Sequence, residues 1–247
     1  MNSIKKANHP SGKNIIFEEE RHIYYIEDDP NFKFVSGTTF LHKFVNPFDR
    51  ENISKKYAAK NNLNQADVLK QWDDKARTSR ENGTEVHAAL ENLFLGKNVV
   101  IPKTDDKVSK MKRIGIQLFN KLQSDYLLLE SEKIVADLDY KIAGMIDLLA
   151  AKQDGTICIM DYKTNEKITY ENIWQTLKPP VSHLQDTSFN QYSLQLNIYQ
   201  YIMTNQNYFA PDTKFERYLL HITPDKYDII EVPDRQNEVI NMIGACL

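Results

Sequence analysis

Two neighbouring apolar segments in the middle of the chain, joined by an Asp-Gly turn, constrain the fold more than any other feature. They are KIAGMIDLLAAK, from Lys141 to Lys152, and TICIMDYKT, from Thr156 to Thr164. Apolar runs bounded by turn residues are typical of buried strands, and Asp-Gly between two such runs indicates a hairpin. If Gln153 to Gly155 form a three-residue turn, Asp147 falls directly opposite Asp161, whereas a two-residue turn would shift this register.

The second segment carries an acid and a lysine within an otherwise apolar strand. Because side chains alternate between the faces of a strand, Asp161 and Lys163 share a face with Ile157 and Ile159. Buried charges are costly unless they have partners, so this face is expected to hold one. A solvated strand face is the alternative that these residues leave open. The other face consists of Cys158, Met160, Tyr162 and Thr164.

The carboxylates of Asp147 and Asp161 predict a bound cation. Two facing carboxylates repel each other unless a proton or a cation lies between them. Mg²⁺ is suited to this position because it binds one or two carboxylates, a backbone carbonyl such as that of Tyr162, and several waters. Lys163 could orient or help to deprotonate a water and offset charge on a phosphate. The segment therefore predicts metal-assisted hydrolysis of a phosphodiester.

The rest of the chain alternates between predicted strands and helices. The predicted order is a polar tail over 1–14, two strands around a turn at Asp29, Pro30 and Asn31, a short helix capped by Ser36 or Thr38, a helical region over 49–96, a helix through about Asp125, three strands, a helix, two strands and a final helix. Within 49–96 we expect three helices, because Gly83 breaks the run and Thr84 can cap the third. This order predicts a single domain over 1–247 of the α/β or α+β class, with a central mixed β-sheet, its core strands over 126–232, flanked by helices.

Composition limits the kind of site and the location. The only cysteines are Cys158 and Cys246, so neither a zinc site nor an iron–sulfur cluster can be built from them. No segment approaches the ~18 consecutive apolar residues of a membrane helix, and no apolar stretch follows the N-terminal charges as in a secretory signal. We therefore expect a cytoplasmic protein with no membrane partner. The formal net charge of −3 does not decide nucleic-acid binding, because a nuclease needs only a locally positive channel.

Four motifs follow one another along the chain. They are GTEVHAALE from Gly83 to Glu91, AGMID ending at Asp147, DYKT beginning at Asp161, and QLNIY from Gln195 to Tyr199. Together they resemble the PD-(D/E)XK nuclease superfamily, in which an Asp on one strand is followed by Asp/Glu-x-Lys on the next. The first and last motifs resemble the His helix and the Q-x-x-x-Y element of its RecB-like branch. The helices before Gly83 are similar to those of its phage-type and mitochondrial-genome-maintenance-type exonucleases.

The resemblance implies a restriction-endonuclease-like core with an N-terminal helical insertion and a metal site. Asp147 and Asp161 would bind one or two Mg²⁺ or Mn²⁺ ions, with the Tyr162 carbonyl as a further ligand. His87 would bind the same ion or a second one. Lys163 would position the attacking water. On the helix alone, a histidine at position 87 could equally be a surface residue.

The remaining site predictions concern the nucleic acid and two further acids. Gln195 and Tyr199 lie one helical turn apart and, by resemblance, would contact the nucleic-acid backbone. Tyr199 can also be interpreted as part of a core stripe. Glu91 is a further candidate at the metal site, although it could simply pair with a neighbour on its helix. Glu132 is the other candidate, with Glu130 as its rival.

The resemblance implies a DNA exonuclease that acts on single-stranded or frayed ends and contains no iron–sulfur cluster. An ATPase region is not expected either, since the sequence contains no G-x-x-x-x-G-K-[ST] loop. A structure-specific endonuclease with the same site is the main alternative. A non-catalytic nucleic-acid-binding or recombination-partner protein and an unrelated α+β protein are the others. A phage origin, with action in the host cytoplasm, fits the compact architecture, and nothing in the sequence indicates an oligomeric state.

Overall fold

Residues 4–246 are described by the structure, a computed structural model, and they form a mixed β-sheet of nine strands with helices packed against it. The strands are β1 (Ile4–Asn8), β2 (Asn14–Glu18), β3 (Ile23–Ile26), β4 (Asp29–Ser36), β5 (Leu127–Asp137), β6 (Ile142–Ala151), β7 (Ile157–Lys163), β8 (Phe215–Ile222) and β9 (Tyr227–Glu231). The helices are α1 (Gly37–His42), α2 (Arg50–Asn61), α3 (Gln65–Phe94), α4 (Lys107–Asp125), α5 (Ser188–Asn205) and α6 (Gln236–Gly244).

The sheet combines both kinds of strand pairing. Its strands follow the order β1-β2-β3-β4-β6-β7-β8-β9, and β5 pairs with the second edge of β6. The β4–β6 and β7–β8 pairs are parallel, whereas the β5–β6, β6–β7 and β8–β9 pairs are antiparallel. The predicted α/β class with a central mixed sheet flanked by helices is therefore confirmed. Within residues 4–246, no helix is long and apolar enough to cross a membrane.

The described chain begins with a strand rather than a polar tail. β1 pairs antiparallel with β2, from Ile4 opposite Glu18 to Asn8 opposite Asn14. The prediction of a tail over 1–14 is therefore wrong from Ile4 onwards, and residues 1–3 lie outside the described residues. β1 escapes detection because its side chains are exposed or half-buried, so it lacks the apolar alternation of a core strand.

The next segment contains three strands where two were predicted. Its first predicted strand is divided into β2 and β3 by a turn in which His22 has a φ of 52°. Asp29, Pro30 and Asn31 belong to β4 and do not form the predicted turn. The chain instead reverses at Glu27 and Asp28, where β3 and β4 pair irregularly. Pairing between adjacent strands therefore outweighs the local turn preference of Asp-Pro-Asn.

α3 is one continuous helix of 30 residues, so the region over 49–96 holds two helices rather than three. The predicted break at Gly83 and cap at Thr84 are wrong. A glycine inside a helix costs ~1 kcal/mol relative to alanine, but tertiary packing compensates for this cost. Val86 and Leu90 are buried against α4, and a Cβ on Gly83 would lie 3.0 Å from the Thr164 hydroxyl. Glycine thus lets α3 pass close to the residue that follows β7.

The two edges of β6 pair differently. One edge pairs with β5 along the length of β6, from Ala151 to Ile142, with a register shift between Leu128 and Glu130. The other edge pairs with β4 at Ile142 and Ala143, and with β7 only from Leu148 to Ala151. Between these two ladders the backbone from Gly144 to Asp147 has no strand partner on this edge, so an opening forms in the middle of the sheet.

The hairpin register that the sequence predicts is confirmed. Ala151 pairs with Ile157, and the Lys152 amide donates to the Thr156 carbonyl at 2.9 Å. This leaves Gln153 to Gly155 as a three-residue turn, with Gly155 at a φ of 85° that favours glycine. Counting back along the ladder places Asp147 across from Asp161, just beyond the last pair.

Both faces of the sheet are covered by apolar packing. On one face, Ile157 and Ile159 of β7 pack with α1, α5 and α6. On the other, Cys158, Met160 and Tyr162 pack with α3 and α4. The predicted division of β7 into two faces is therefore confirmed. A third cluster joins β2–β4 to the end of β5 and the start of β6 and consists of Ile15, Phe17, Tyr24, Ile26, Phe34, Ile134, Ala136 and Ala143.

Candidate active site

The opening in the sheet is bordered by Asp147. Its Oδ2 atom accepts a hydrogen bond from the backbone N–H of Tyr162 at 2.7 Å. The side chain thus satisfies an amide that the β6–β7 ladder no longer pairs, which explains why an acid can end this ladder. Burial, together with the nearby Asp161 carboxylate, raises the pKa of Asp147 well above its usual range. A cation beside this carboxylate would relieve both effects.

His87 reaches Asp147 from α3. Its Nδ1 atom lies 3.5 Å from Asp147 Oδ2, and its ring contacts that of Tyr162 edge-on at a centroid distance of 5.7 Å. Val86 and Leu90 bury the adjacent face of the helix, which directs His87 towards the sheet. Burial lowers the pKa of His87, more than the Asp161 carboxylate raises it. The imidazole is therefore neutral near pH 7, and a neutral imidazole is the form that binds metals.

Glu132 reaches the same point from β5. Ser131 pairs with Leu148 and Lys133 pairs with Ile146, so Glu132 lies across from Asp147. Its φ of 55° is in the left-handed region, which is sparsely populated for non-glycine residues. Burial, followed by the Asp147 charge, raises the pKa of Glu132 to about 7. A strained backbone that brings two carboxylates together is typical of functional sites.

His87, Glu132 and Asp147 fit a divalent metal ion. Each offers one ligand atom, and these atoms lie within 4.8 Å of one another. Carboxylates this close together and removed from water repel unless a cation or a proton separates them. One imidazole nitrogen with two carboxylate oxygens suits Mn²⁺ and, with waters completing the shell, Mg²⁺. The donor chemistry of this group is thus consistent with the ions that the sequence predicts.

Asp161 and Lys163 form an ion pair beside this group. Lys163 Nζ contacts Asp161 Oδ2, lies 4.4 Å from the centroid of the Tyr192 ring, and donates to Gln195 Oε1 at 3.5 Å. Burial alone would lower the pKa of Lys163, but the Asp161 and Asp147 carboxylates outweigh burial and raise it. Lys163 is therefore an ammonium ion at neutral pH. Asp161 lies outside the group of three ligands in this arrangement.

Gln195 and Tyr199, the two residues of α5 that were predicted to contact nucleic acid, differ in their exposure to solvent. Gln195 is half-buried, and its amide nitrogen donates to the Tyr199 hydroxyl at 2.9 Å. Tyr199 is only 3% exposed and belongs to the core beneath the sheet. Burial raises the pKa of its hydroxyl to about 12. Only Gln195 of the two is thus accessible, and it connects Lys163 to Tyr199.

Glu91 is separated from the three ligands by a lysine that the sequence analysis did not single out. Lys5 Nζ lies 3.1 Å from Glu91 Oε1 and 3.4 Å from Glu132 Oε2. Glu130, the rival of Glu132, instead pairs with Lys133 at 2.8 Å. Lys5 could not be found from sequence because β1 itself was not predicted. The one feature that marks Lys5 is its position in β1, where it is half-buried and the adjacent residues Ile4 and Lys6 are exposed.

An open cleft connects the three ligands His87, Glu132 and Asp147 to solvent. Its walls come from α3, from β1 and from the turn between β2 and β3, and Asp147 and Glu132 lie at its base. Arg80 and Lys5 contribute positive charge to its lining. The carboxylates of Glu19 and Glu91 also line the cleft, so they offset this positive charge while no metal ion is bound.

Three comparisons with known proteins give different results. Comparison with curated proteins finds no match. Among solved structures, the crystal structure of a protein designated SSO0001 matches 86% of this chain and 72% of that chain with 13% identity and a TM-score of 0.33, which is too low to support an argument. The family model of the PD-(D/E)XK nuclease superfamily matches residues 37–239. Because that match extends over most of the chain, the chain belongs to the PD-(D/E)XK nuclease superfamily.

Proposed function

We propose that this nuclease is a metal-dependent DNA exonuclease whose active site consists of His87, Glu132, Asp147, Asp161 and Lys163. One observation supports this most directly. Three metal-ligand atoms lie within 4.8 Å of one another at the point where β6 and β7 separate, and a buried ammonium ion lies beside them. This combination suits hydrolysis of a phosphodiester, in which negative charge develops on the phosphate.

The ligands divide between two faces of the opening. His87 and Glu132 would hold the metal from the α3 and β5 side, and Asp147 would hold it from the strand edge. Asp161 and the Tyr162 carbonyl would complete the shell from β7 once the Asp161–Lys163 pair rearranges. A bound Mg²⁺ or Mn²⁺ ion would supply Lewis acidity to the scissile phosphate and acidify a water.

Lys163 acts as a charge rather than as a base. Its raised pKa keeps it protonated at neutral pH, so it would orient the attacking water and stabilise charge on the phosphate. The amide oxygen of Gln195 positions Lys163 Nζ by accepting its hydrogen bond at 3.5 Å. The amide nitrogen of Gln195 can turn towards the nucleic-acid backbone. Tyr199 supports Gln195 from the core.

The preference for single-stranded or frayed ends rests on the resemblance and on exposed aromatic side chains. Phe48 before α2 and Tyr57 on α2 are 65% and 46% exposed, and their ring centroids lie 6.0 Å and 6.1 Å from that of Trp72 on α3. Exposed aromatic rings can stack on unpaired bases, and stacking tolerates any sequence. A cytoplasmic location and a phage origin belong to the same proposal, and rest on composition and compactness alone.

Cleavage assays on four substrates test the proposal. Linear and circular forms of single- and double-stranded DNA are incubated with Mg²⁺, Mn²⁺ or EDTA. The variants are Lys163→Ala and, as a matched control, Lys226→Ala, which removes an exposed lysine paired with Asp228. We expect metal-dependent shortening of linear DNA that only Lys163→Ala reduces, by ~10²-fold or more. Cut circles would favour a structure-specific endonuclease. Bound but uncut DNA under every metal would favour the non-catalytic binding protein.

A further inference from the structure

Lys5 brings a fixed positive charge to the candidate metal site from outside the predicted core. It lies on β1 opposite Phe17 of β2, and β1 packs beside β5. Its Nζ atom contacts both Glu91 and Glu132, while its side chain is only 25% exposed. The next residue, Lys6, is 50% exposed and pairs with Glu27 at 2.7 Å, away from the site. The two adjacent lysines thus differ in orientation and in partner.

We propose that the Lys5 ammonium group occupies the position of a second cation, so that the DNA-free protein binds a single divalent metal ion. This inference rests on the proposed metal-dependent function. In two-metal nucleases the ions lie ~3.5–4 Å apart and share a carboxylate. Glu132 is the carboxylate that could be shared here, because it faces Asp147 and His87 on one side and Lys5 on the other.

The balance of charge supports one ion. Four carboxylates lie in or beside the group of three ligands, those of Glu91, Glu132, Asp147 and Asp161, and the ammonium groups of Lys5 and Lys163 contact three of them. Counted in their ionised forms, these six groups carry a formal charge of −2, which one divalent ion neutralises. A second divalent ion would leave an excess of +2 in a partly buried site, which is unfavourable without bound DNA.

Geometry supports the same conclusion. A second ion bound by Glu91 and Glu132 would need oxygen ligands at ~2.0–2.2 Å for Mg²⁺ or Mn²⁺. The place between these two carboxylates is taken by Lys5 Nζ, at 3.1 Å and 3.4 Å from their oxygen atoms. Removing this group would free both carboxylates for an ion.

The test counts metal ions in the whole chain without DNA. Mn²⁺ is titrated by calorimetry into wild type, Lys5→Met and the control Lys6→Met, after EDTA treatment and dialysis. We expect one ion per chain for wild type and Lys6→Met, and two for Lys5→Met. Two neighbouring Mn²⁺ ions should also give a spin-coupled electron paramagnetic resonance spectrum in Lys5→Met alone. Lys5→Gln, which also lacks the charge, serves as the second variant if Lys5→Met does not fold.

The outcomes separate this inference from the proposed function. Two ions in wild type, or one ion in folded Lys5→Met and Lys5→Gln, would overturn the role of Lys5 and leave the metal site intact. Wild type that binds no Mn²⁺ would overturn the metal site and this inference together. Two ions in Lys6→Met would also overturn the inference, because loss of any nearby positive charge would then suffice.

Discussion

The ring of Tyr199 lies directly against the backbone of Gly144. A Cβ atom at position 144 would come within 2.3 Å of Tyr199 Cε1, a distance that no side chain tolerates. Gly144 belongs to the part of β6 that lacks a strand partner on one edge, and the Tyr199 ring of α5 packs against it. The same tyrosine holds Gln195 through its hydroxyl, and Gln195 holds Lys163. Packing in the core and the position of the candidate catalytic lysine are thus connected.

Replacing Gly144 by alanine should therefore destabilise the protein. The added methyl group must displace a ring that is 3% exposed, and overpacking of this kind costs ~1–3 kcal/mol. Urea denaturation monitored by circular dichroism measures the free energy of unfolding. Gly244→Ala is the control, because a Cβ there has no atom within 4 Å, and its effect should stay within ~0.5 kcal/mol. Equal stability of the two variants would show that α5 moves away at no cost.

The central and C-terminal part of the fold could be predicted because its signals are local. β6 and β7 combine long apolar runs with an Asp-Gly turn, and α4 buries Met111, Leu118 and Leu122 at helical spacing. The register that places Asp147 across from Asp161 follows from the length of one turn. Periodicity and turn chemistry act over a few residues, so the sequence itself contains them.

The N-terminal part and the exact ligand set depend on contacts between distant residues. β1 is held by pairing with β2 and by the ion pairs of Lys5, neither of which leaves an apolar pattern. α3 continues through Gly83 because it packs on α4 and passes Thr164 closely. Glu132 reaches the metal ligands only through a backbone with φ of 55°. Local propensity cannot anticipate such tertiary effects.

The stability of the metal-free protein should fall as pH rises through the titration range of Glu132. The pKa of Glu132 is about 7 in the folded protein and 4.5 in the unfolded chain, so the folded state retains its proton more strongly between these values. Above pH 7 this difference in pKa lowers the free energy of unfolding by ~3 kcal/mol, at ~1.4 kcal/mol per pKa unit. Urea denaturation in EDTA at pH 5 to 8 measures it. Adding Mn²⁺ should remove the loss by binding the ionised form.

Two variants of β5 test whether Glu132 causes this loss of stability with rising pH. Glu132→Gln cannot ionise and should show a flatter dependence of unfolding free energy on pH in EDTA. Glu130→Gln is the matched control, since Glu130 lies two residues away, is 45% exposed and pairs with Lys133. It should retain the full pH dependence of wild type. A Glu132→Gln curve that falls as steeply as that of wild type would assign the effect to Asp147 alone.

His87 and Glu91 should differ sharply in their effect on metal binding, although one helical turn separates them. His87 belongs to the group of three ligands, whereas Glu91 is paired with Lys5. We expect His87→Ala to weaken Mn²⁺ binding by more than the ~10–100-fold typical of outer-shell changes. Glu91→Ala should change it by about fivefold or less, because it removes one partly exposed ion pair. Calorimetric titration gives both affinities. Similar losses for both variants would place Glu91 among the ligands of the first ion.

Substitutions of Gln195 and Tyr199 should also have different effects, and the difference should appear in DNA binding rather than in metal binding. Tyr199→Phe keeps the ring in the core and removes only a buried hydroxyl, so its dissociation constant for single-stranded DNA should match that of wild type. Its cleavage rate should fall by about tenfold, because Gln195 loses the hydrogen bond that orients it towards Lys163. Gln195→Ala should lower the rate further and weaken DNA binding, by roughly 1 kcal/mol for one lost phosphate contact.

Fluorescence anisotropy in EDTA measures binding without cleavage, and single-turnover assays in Mg²⁺ measure the rate. Weaker DNA binding by Tyr199→Phe would mean that the hydroxyl itself reaches the nucleic acid, and that α5 moves when DNA binds.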